Sequence, residues 1–267
     1  MSVYQRNHVK VSGRGMQPML FAHGFGCDQN MWRFVAPAFE DDYRVVLFDH
    51  VGSGKSDLRA YRPAKYARLE GYADDVLEIC RELALDEVVF VGHSVSAMIG
   101  LLAAVKDPQR FARLVLIGPS PCYLNVGEYR GGFSREELEG LLDFMDANYL
   151  GWSSAMAPKI IGNPQRPELG EELTNSFCRT DPEIAKHFAR TTFLSDNRAD
   201  LPKTSVPSLV LQCSQDIIAG SQVGEYVHRH LPGSRLVHMR ATGHCPNLSA
   251  PQETIDAMKA FLQPASA

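Results

Sequence analysis

The chain has 267 residues, and its 27 Lys and Arg residues nearly balance 31 Asp and Glu residues, for a formal net charge of −4. It carries no basic block and no apolar run as long as a membrane span, so we expect neither nucleic acid nor a membrane as a partner. The first residues lack the apolar stretch of a signal peptide. Six scattered cysteines without a Cys-x-x-Cys pair predict free thiols, and no cluster predicts a metal site. We therefore expect a globular, cytoplasmic protein.

Strand-like and helix-like patterns alternate along most of the chain. Strands are predicted at residues 7–12, 19–22, 44–49, 88–92, 113–117, 208–212 and 235–239. Helices are predicted at residues 69–83, 96–104, 223–231 and 254–262. This alternation is typical of a mostly parallel sheet covered by helices on both faces.

The rhythm changes in residues 122–201. This segment is rich in aromatic residues and helical in pattern, and it contains no convincing strand. Prolines interrupt the pattern at Pro158, Pro164, Pro167 and Pro182. Residues 1–121 and 202–267 are therefore expected to form an α/β core, and residues 122–201 a helical lid inserted before the last two strands. Such a lid would cover the carboxyl edge of the sheet, where open α/β sheets bind ligands.

The most specific motif is residues 92–96, Gly-His-Ser-Val-Ser, which follows one predicted strand directly and precedes a helix. This is the context of a nucleophile elbow, a tight turn that exposes a serine and requires small neighbours. Gly92 is one such neighbour, and Ser96 takes the place of the usual second glycine. The motif predicts Ser94 as a nucleophile.

A serine hydroxyl needs a base to remove its proton, and the base needs an orienting acid. After a nucleophile elbow these partners follow in the chain order serine, acid, histidine. Asp216 follows the strand at 208–212, and His244 follows the next strand, so both are expected at the same sheet edge as Ser94. The alternatives are a helix N-cap for Asp216 and a structural loop role for His244.

Acyl transfer also needs donors for the negative charge that develops on the carbonyl oxygen. The N–H of Val95, directly after the nucleophile, is one candidate. Residues 23–26, His-Gly-Phe-Gly, follow an early strand, and we expect the N–H of Phe25 to be the second donor. An ordinary glycine turn is the alternative for this segment.

Other motifs are expected to be structural. Residues 52–56, Gly-Ser-Gly-Lys-Ser, resemble a phosphate-binding loop, but the required first glycine would be residue 49, which is Asp49. His93 is expected to pack or hydrogen-bond locally, and Cys245 to be a buried bystander thiol. No cofactor is expected. The lid aromatics together predict an apolar pocket above Ser94: Tyr123, Tyr129, Phe133, Phe144, Tyr149, Trp152, Phe177, Phe188 and Phe193.

With these residues located, the chain resembles the RsbQ group of bacterial α/β-hydrolases and the plant karrikin and strigolactone receptors. The resemblance runs nearly from end to end, and its most specific segments are residues 7–11, 23–29, 90–95, 118–125, 131–133, 193–196 and 243–246. It implies an α/β-hydrolase fold of the eight-stranded type, with the triad Ser94, Asp216 and His244 below a four-helix lid. By matching position it implies a hydrophobic pocket lined by Phe25, Phe133, Trp152 and Phe193.

The resemblance also implies a role. Bacterial members regulate a general stress response together with a phosphatase that carries a PAS domain, and the plant relatives bind and slowly hydrolyse butenolide hormones. We therefore expect a serine hydrolase for a small hydrophobic ester or lactone, used in signalling. The alternatives are a metabolic carboxylesterase or carbon–carbon bond hydrolase without a regulatory partner, and a ligand-binding module with little turnover. Haloalkane dehalogenation needs a carboxylate at position 94, where this chain has Ser94.

Overall fold

A computed structural model describes residues 1–263 and contains one seven-stranded sheet. The strands are β1 (Lys10–Ser12), β2 (Pro18–Ala22), β3 (Arg44–Leu47), β4 (Val88–His93), β5 (Phe111–Ile117), β6 (Ser208–Gln215) and β7 (Ser234–Thr242). Their order is β1-β3-β2-β4-β5-β6-β7, with β1 antiparallel to β3 and all other neighbours parallel. The mostly parallel sheet predicted from the sequence is confirmed.

The sheet separates two hydrophobic cores. Along β4, Val89 and Val91 point to one core while Val88 and Phe90 point to the other, as the two-residue period of a strand requires. Both faces of β4 are covered, so its residues 88–91 are all apolar rather than alternating with polar ones.

Helices cover both faces of the sheet. They are α1 (Val3–Arg6), α2 (Pro63–Tyr66), α3 (Leu69–Glu82), α4 (Val95–Lys106), α5 (Arg135–Ala147), α6 (Tyr149–Ile161), α7 (Pro167–Arg179), α8 (Pro182–Phe193), α9 (Ser221–His230), α10 (Pro246–Ser249) and α11 (Pro251–Leu262). Short 3₁₀ segments occupy Gln29–Trp32, Ala36–Phe39, Leu58–Ala60, Pro108–Arg110 and Arg198–Lys203. In the part of the chain so described, no helix is both long enough and apolar enough to cross a membrane.

The sheet has seven strands over the described residues rather than eight. The edge strand was predicted to begin at residue 7, but it begins at Lys10. His8 has a φ of 46°, which takes the chain out of the extended conformation, and residues before it form α1. The first segment therefore contributes only three residues to the edge of the sheet.

Four helices, α5 to α8, lie between β5 and β6, and we refer to this segment as the lid. Three of their N-termini carry side-chain caps: Ser134 with Glu137 in a capping box on α5, Asn148 on α6 and Asp181 on α8. Pro167 and Pro182 stand in the first turn of α7 and α8, where proline's missing N–H costs nothing. Pro158 was predicted to interrupt the helical pattern, but it lies inside the last turn of α6.

Candidate active site

The turn from β4 to α4 places Ser94 in a strained backbone conformation. Its φ is 57° and its ψ is −123°, a backbone conformation that residues other than glycine rarely adopt. A Cβ atom on Gly92 would lie 2.4 Å from the carbonyl oxygen of Ser96, so the turn leaves no room for a side chain there. The strand, tight turn and helix of a nucleophile elbow are all present at the predicted position.

Ser94, His244 and Asp216 lie in one hydrogen-bonded chain. His244 Nε2 is 2.7 Å from Ser94 Oγ, and His244 Nδ1 is 2.6 Å from Asp216 Oδ2. The side chains of His244 and Asp216 are 5 % and 0 % exposed, so water competes little for these bonds. The structure thus brings together the three residues that the sequence placed on separate loops.

The backbone holds both partner loops in place. Asp216 Oδ1 accepts the N–H groups of Ile218 and Ala219 at 2.8 and 3.0 Å, which leaves Oδ2 facing the imidazole. The N–H of His244 donates to the carbonyl of Ile160 in the lid at 2.8 Å. Its own carbonyl accepts His93 Nε2–H at 2.7 Å, which is the local hydrogen bond expected of His93. The imidazole of His244 is therefore fixed from the core and from the lid.

Gly118, at the end of β5, is a site residue that the sequence analysis did not single out. A Cβ atom there would lie 3.1 Å from His244 Cε1 and 3.6 Å from Asp216 Oδ2, and its φ is +57°. The signal was its position: like Ser94, Asp216 and His244, it follows the carboxyl end of a parallel strand.

Substituting Gly118→Ala should lower kcat for an ester by about 10-fold or more, because the added methyl group pushes the imidazole from its line between Ser94 and Asp216. Steady-state kinetics with p-nitrophenyl acetate would measure this. Gly127→Ala is the matched control, since Gly127 has a φ of +60° and a Cβ atom there would meet nothing within 4 Å. Equal rates for the two variants would contradict this role of Gly118.

The two expected oxyanion donors lie beside the nucleophile. Val95 is the first residue of α4, so its N–H has no acceptor within the helix. Phe25 follows Gly24, where a Cβ atom would lie 3.4 Å from Ser94 Cβ, so the loop passes directly over the nucleophile. Both residues therefore flank Ser94, where the developing oxyanion would form.

A narrow apolar cavity of about 30 Å³ opens onto Ser94. Its lining joins core and lid: Phe25, Cys27, His93, Ser94, Tyr123, Trp152, Ile160, Leu173, Phe177, Thr192, Phe193, Ile218, His244 and Cys245. The ring of Phe25 is its aromatic centre, 5.8 Å from that of Phe177, 6.2 Å from Trp152 and 6.3 Å from Phe193. The expected positions of Phe25, Trp152 and Phe193 thus agree with this lining.

Phe133 does not line the cavity, contrary to the expectation from resemblance. Its N–H donates to the carbonyl of Tyr123 at 3.1 Å, and its carbonyl accepts the N–H of Asn125 at 2.8 Å. Of this paired segment, Tyr123 is the residue that lines the cavity. Tyr129 packs elsewhere, against Tyr226, and Phe188 contacts both Tyr72 and the ring of Phe25, 5.7 Å away, without lining the cavity.

The two cavity cysteines are poor rivals to Ser94. Burial raises the pKa of the Cys27 thiol to about 12 and that of Cys245 well above its ordinary value, so neither is a thiolate at neutral pH. All six cysteines are free thiols, and only Cys178 is exposed. Cys245 is therefore the buried bystander predicted from the sequence.

Three histidines around the site are kept neutral by burial. It lowers the pKa of His93 to about 3, with the neighbouring His244 as a further cause, and lowers those of His23 and His50 below the ordinary value of 6.5. Unfolded histidine takes up a proton below about pH 6.5, while these folded rings do not. The free energy of unfolding therefore has its full value above about pH 6.5. It falls as the pH is lowered, because the unfolded chain binds protons that the folded chain does not.

Between about pH 7 and pH 5.5 each of these histidines should cost about 1 kcal/mol of the free energy of unfolding. Urea titrations at both pH values would measure the loss, and His93→Gln should reduce it by about one histidine's share. His238→Gln, at an exposed position, is the control and should leave the loss of stability between the two pH values unchanged. A flat stability profile for the wild type would refute the prediction.

Comparison with known proteins places this site in a family. The model of the Alpha/beta hydrolase family matches residues 19–257. Karrikin insensitive 2 receptor CA of Petunia hybrida is 39 % identical over 257 residues, covering 96 % of this chain and 95 % of that protein. A strigolactone esterase of Arabidopsis thaliana is 37 % identical over 262 residues, covering 98 % of each chain.

A solved structure shows the same architecture. A hydrolase from Oleispira antarctica superposes with a TM-score of 0.95 at 43 % identity, covering 97 % of this chain and 95 % of that one. The resemblance to the plant receptor hydrolases is thereby confirmed, while none of these relatives is named as a bacterial stress regulator of the RsbQ type. With its elbow, its sheet and these relatives, the chain belongs to the α/β hydrolase family and is a hydrolase.

Proposed function

We propose that the protein hydrolyses a small apolar ester or lactone through a covalent acyl intermediate on Ser94. The observation that carries this proposal is the hydrogen-bonded chain from Ser94 Oγ through His244 to Asp216, enclosed below the lid. No rival nucleophile in the cavity is ionised at neutral pH, since burial raises the pKa of both cavity thiols. A serine with a positioned base is therefore the best nucleophile there.

In this mechanism His244 Nε2 takes the proton of Ser94 as the serine oxygen attacks the carbonyl carbon. Asp216 holds the imidazole with Nδ1–H toward it and stabilises the imidazolium that forms. The N–H groups of Phe25 and Val95 receive the oxyanion. His244 then gives its proton to the leaving alcohol and activates water to release the acid.

The cavity supports a small, largely apolar substrate. Its water-accessible space is only about 30 Å³ and its walls are mostly apolar, so a larger ligand must displace side chains of the lining. The hydroxyl of Thr192 is buried and has no hydrogen-bond partner among the described residues. It can therefore donate to a carbonyl or ring oxygen of a substrate.

Activity should fall steeply with the length of the acyl chain. We expect the protein to turn over p-nitrophenyl acetate and to process p-nitrophenyl decanoate at least about 10-fold more slowly in kcat/KM, because a long chain must displace the aromatic lining. An inert wild-type protein would sink the proposed function. A preference for the decanoate would contradict only the small size that we infer for the pocket.

We further propose that the reaction serves signalling, as in the RsbQ type, with a PAS-domain phosphatase as candidate partner. Supporting this is the resemblance to a protein named as a karrikin insensitive 2 receptor and to one named as a strigolactone esterase. Copurification of the protein with such a phosphatase, dependent on added ligand, would test the partner. Absence of ligand-dependent copurification would favour a metabolic esterase over a signalling one.

A receptor with little turnover is the second candidate, favoured by the resemblance to a protein named as a karrikin insensitive 2 receptor. A butenolide lactone should raise the melting temperature of the Ser94→Ala protein if binding alone is the signal. Stabilisation of the wild type but not of Ser94→Ala would instead tie the signal to the acyl intermediate.

A further inference from the structure

Three buried polar side chains lie behind the loop that carries Phe25. Ser96 Oγ is 2.5 Å from the carbonyl oxygen of His23 and 2.7 Å from His50 Nε2. The N–H of His50 is 3.1 Å from His23 Nε2, and His23 Nδ1 is 2.9 Å from the carbonyl oxygen of Gly24. All three residues are at most 1 % exposed, so the network is closed to water.

The partners fix the direction of every bond in this network. A carbonyl oxygen only accepts, so Ser96 donates its proton to His23 O and must accept from Nε2–H of His50. The N–H of His50 only donates, so His23 Nε2 accepts, and His23 Nδ1–H donates to Gly24 O. Both rings are then neutral, in agreement with the lowered pKa that burial gives each of them.

The network ends on the peptide that presents the oxyanion donor. The carbonyl of Gly24 and the N–H of Phe25 belong to one planar trans peptide and point in opposite directions. Holding Gly24 O from the side of His23 therefore aims the Phe25 N–H away from it. Cys27 N–H also donates to Gly24 O, at 3.3 Å, which adds a second restraint.

We propose that His50 and Ser96 are positioning residues that fix the oxyanion loop, and with it the Phe25 N–H, relative to the nucleophile. Ser96 lies two residues after Ser94 in the elbow, while His50 follows β3, so the pair ties the loop after β2 to the elbow. The inference rests on the proposed function, because it assigns Phe25 N–H to a developing oxyanion.

The proposal explains why a serine stands where the elbow usually has a second glycine. Small size is sufficient for the turn, but it does not require a hydroxyl. The hydroxyl of Ser96 satisfies both a buried donor on His50 and a buried acceptor on His23, and loss of it would leave both unpaired. The loop would then relax toward other partners, and the aim of the Phe25 N–H would be lost.

The test compares kinetics of Ser96→Ala, His50→Gln and His50→Phe with wild type on p-nitrophenyl acetate. We expect kcat per active site to fall by about 10- to 100-fold in Ser96→Ala and His50→Phe, with KM unchanged, because the donor acts in the transition state. His50→Gln keeps a donor at the Nε2 position and should recover most of the activity.

A trifluoromethyl ketone provides a readout that a purely structural role would not move. It adds to Ser94 as a hemiketal whose oxygen occupies the oxyanion site, so its inhibition constant should rise by the same factor as kcat falls. The pH midpoint of the acid limb of kcat/KM should stay at the wild-type value, because His244 is untouched.

Ser208→Ala is the matched control, since Ser208 is equally buried and donates to the carbonyl of Val206 at 2.8 Å, remote from the elbow. It should match Ser96→Ala in lost stability but keep wild-type kcat. An active wild type with unchanged kcat in folded Ser96→Ala would overturn this inference alone. An inert wild type would overturn the proposed function instead.

Discussion

Ser94→Ala should reduce kcat/KM for p-nitrophenyl acetate by about 10⁴-fold or more, to near the uncatalysed background. The hydroxyl is the nucleophile that forms the acyl bond in the proposed mechanism, and alanine leaves His244 without a proton to accept. Rate measurements at several protein concentrations would separate residual turnover from the uncatalysed background.

The control for this substitution is Ser153→Ala. Ser153 is also fully buried, and its hydroxyl donates to the carbonyl of Tyr149 at 2.8 Å within α6. It lies outside the cavity lining, so its loss should affect stability but not chemistry. Equal activity of Ser94→Ala and wild type would show that the serine is not the nucleophile.

Asp216→Asn should lower kcat by about 10⁴-fold while leaving the fold intact. Oδ1 accepts two backbone N–H groups, so asparagine must keep its oxygen there and turn its NH₂ toward His244 Nδ1. The imidazole then accepts at Nδ1 and carries its proton on Nε2, where it can no longer receive the serine proton. Steady-state kinetics and a melting curve would measure both effects.

Asp181→Asn is a close control for this substitution. Asp181 Oδ1 likewise accepts two backbone N–H groups, from Glu183 and Ile184 at 3.0 and 3.1 Å, but it caps a lid helix and faces no histidine. The variant should lose a little stability and no activity. If both asparagine variants are equally active, Asp216 does not orient His244.

Much of the fold follows from local patterns in the sequence. The central strands are continuous apolar runs bounded by turns, and β4 and β5 were predicted to within two residues at each end. The edge strand was less accurate, because a left-handed residue, His8, shortens it and no local pattern marks that conformation. The lid helices carry local caps, but which of their aromatic rings face the cavity is decided by tertiary packing.

The candidate site was also predictable only in part, because some of its residues are placed by tertiary packing. Ser94, Asp216 and His244 stand at carboxyl ends of parallel strands, and parallel topology alone brings such positions to one edge. Gly118 obeys the same rule, so a stricter use of it would have found this residue. Phe133 and Tyr123 could not be told apart, because their placement depends on a pairing between two loop segments.

One backbone hydrogen bond joins the lid to the proposed base. Lid helix α6 accepts a hydrogen bond from the N–H of His244 at the carbonyl of Ile160, so the lid and the proposed base share one contact. A substrate that parts the lid therefore acts on the same loop that positions the imidazole. We therefore expect movement of the lid and turnover to be coupled through this contact.

The most direct test of the account is to trap the acyl intermediate. Wild-type protein quenched in acid during turnover of p-nitrophenyl acetate should gain the mass of one acetyl group, and peptide mapping should place it on Ser94. Ser94→Ala should gain none. Turnover without an adduct on Ser94, or an adduct on another residue such as the exposed Cys178, would contradict the central claim.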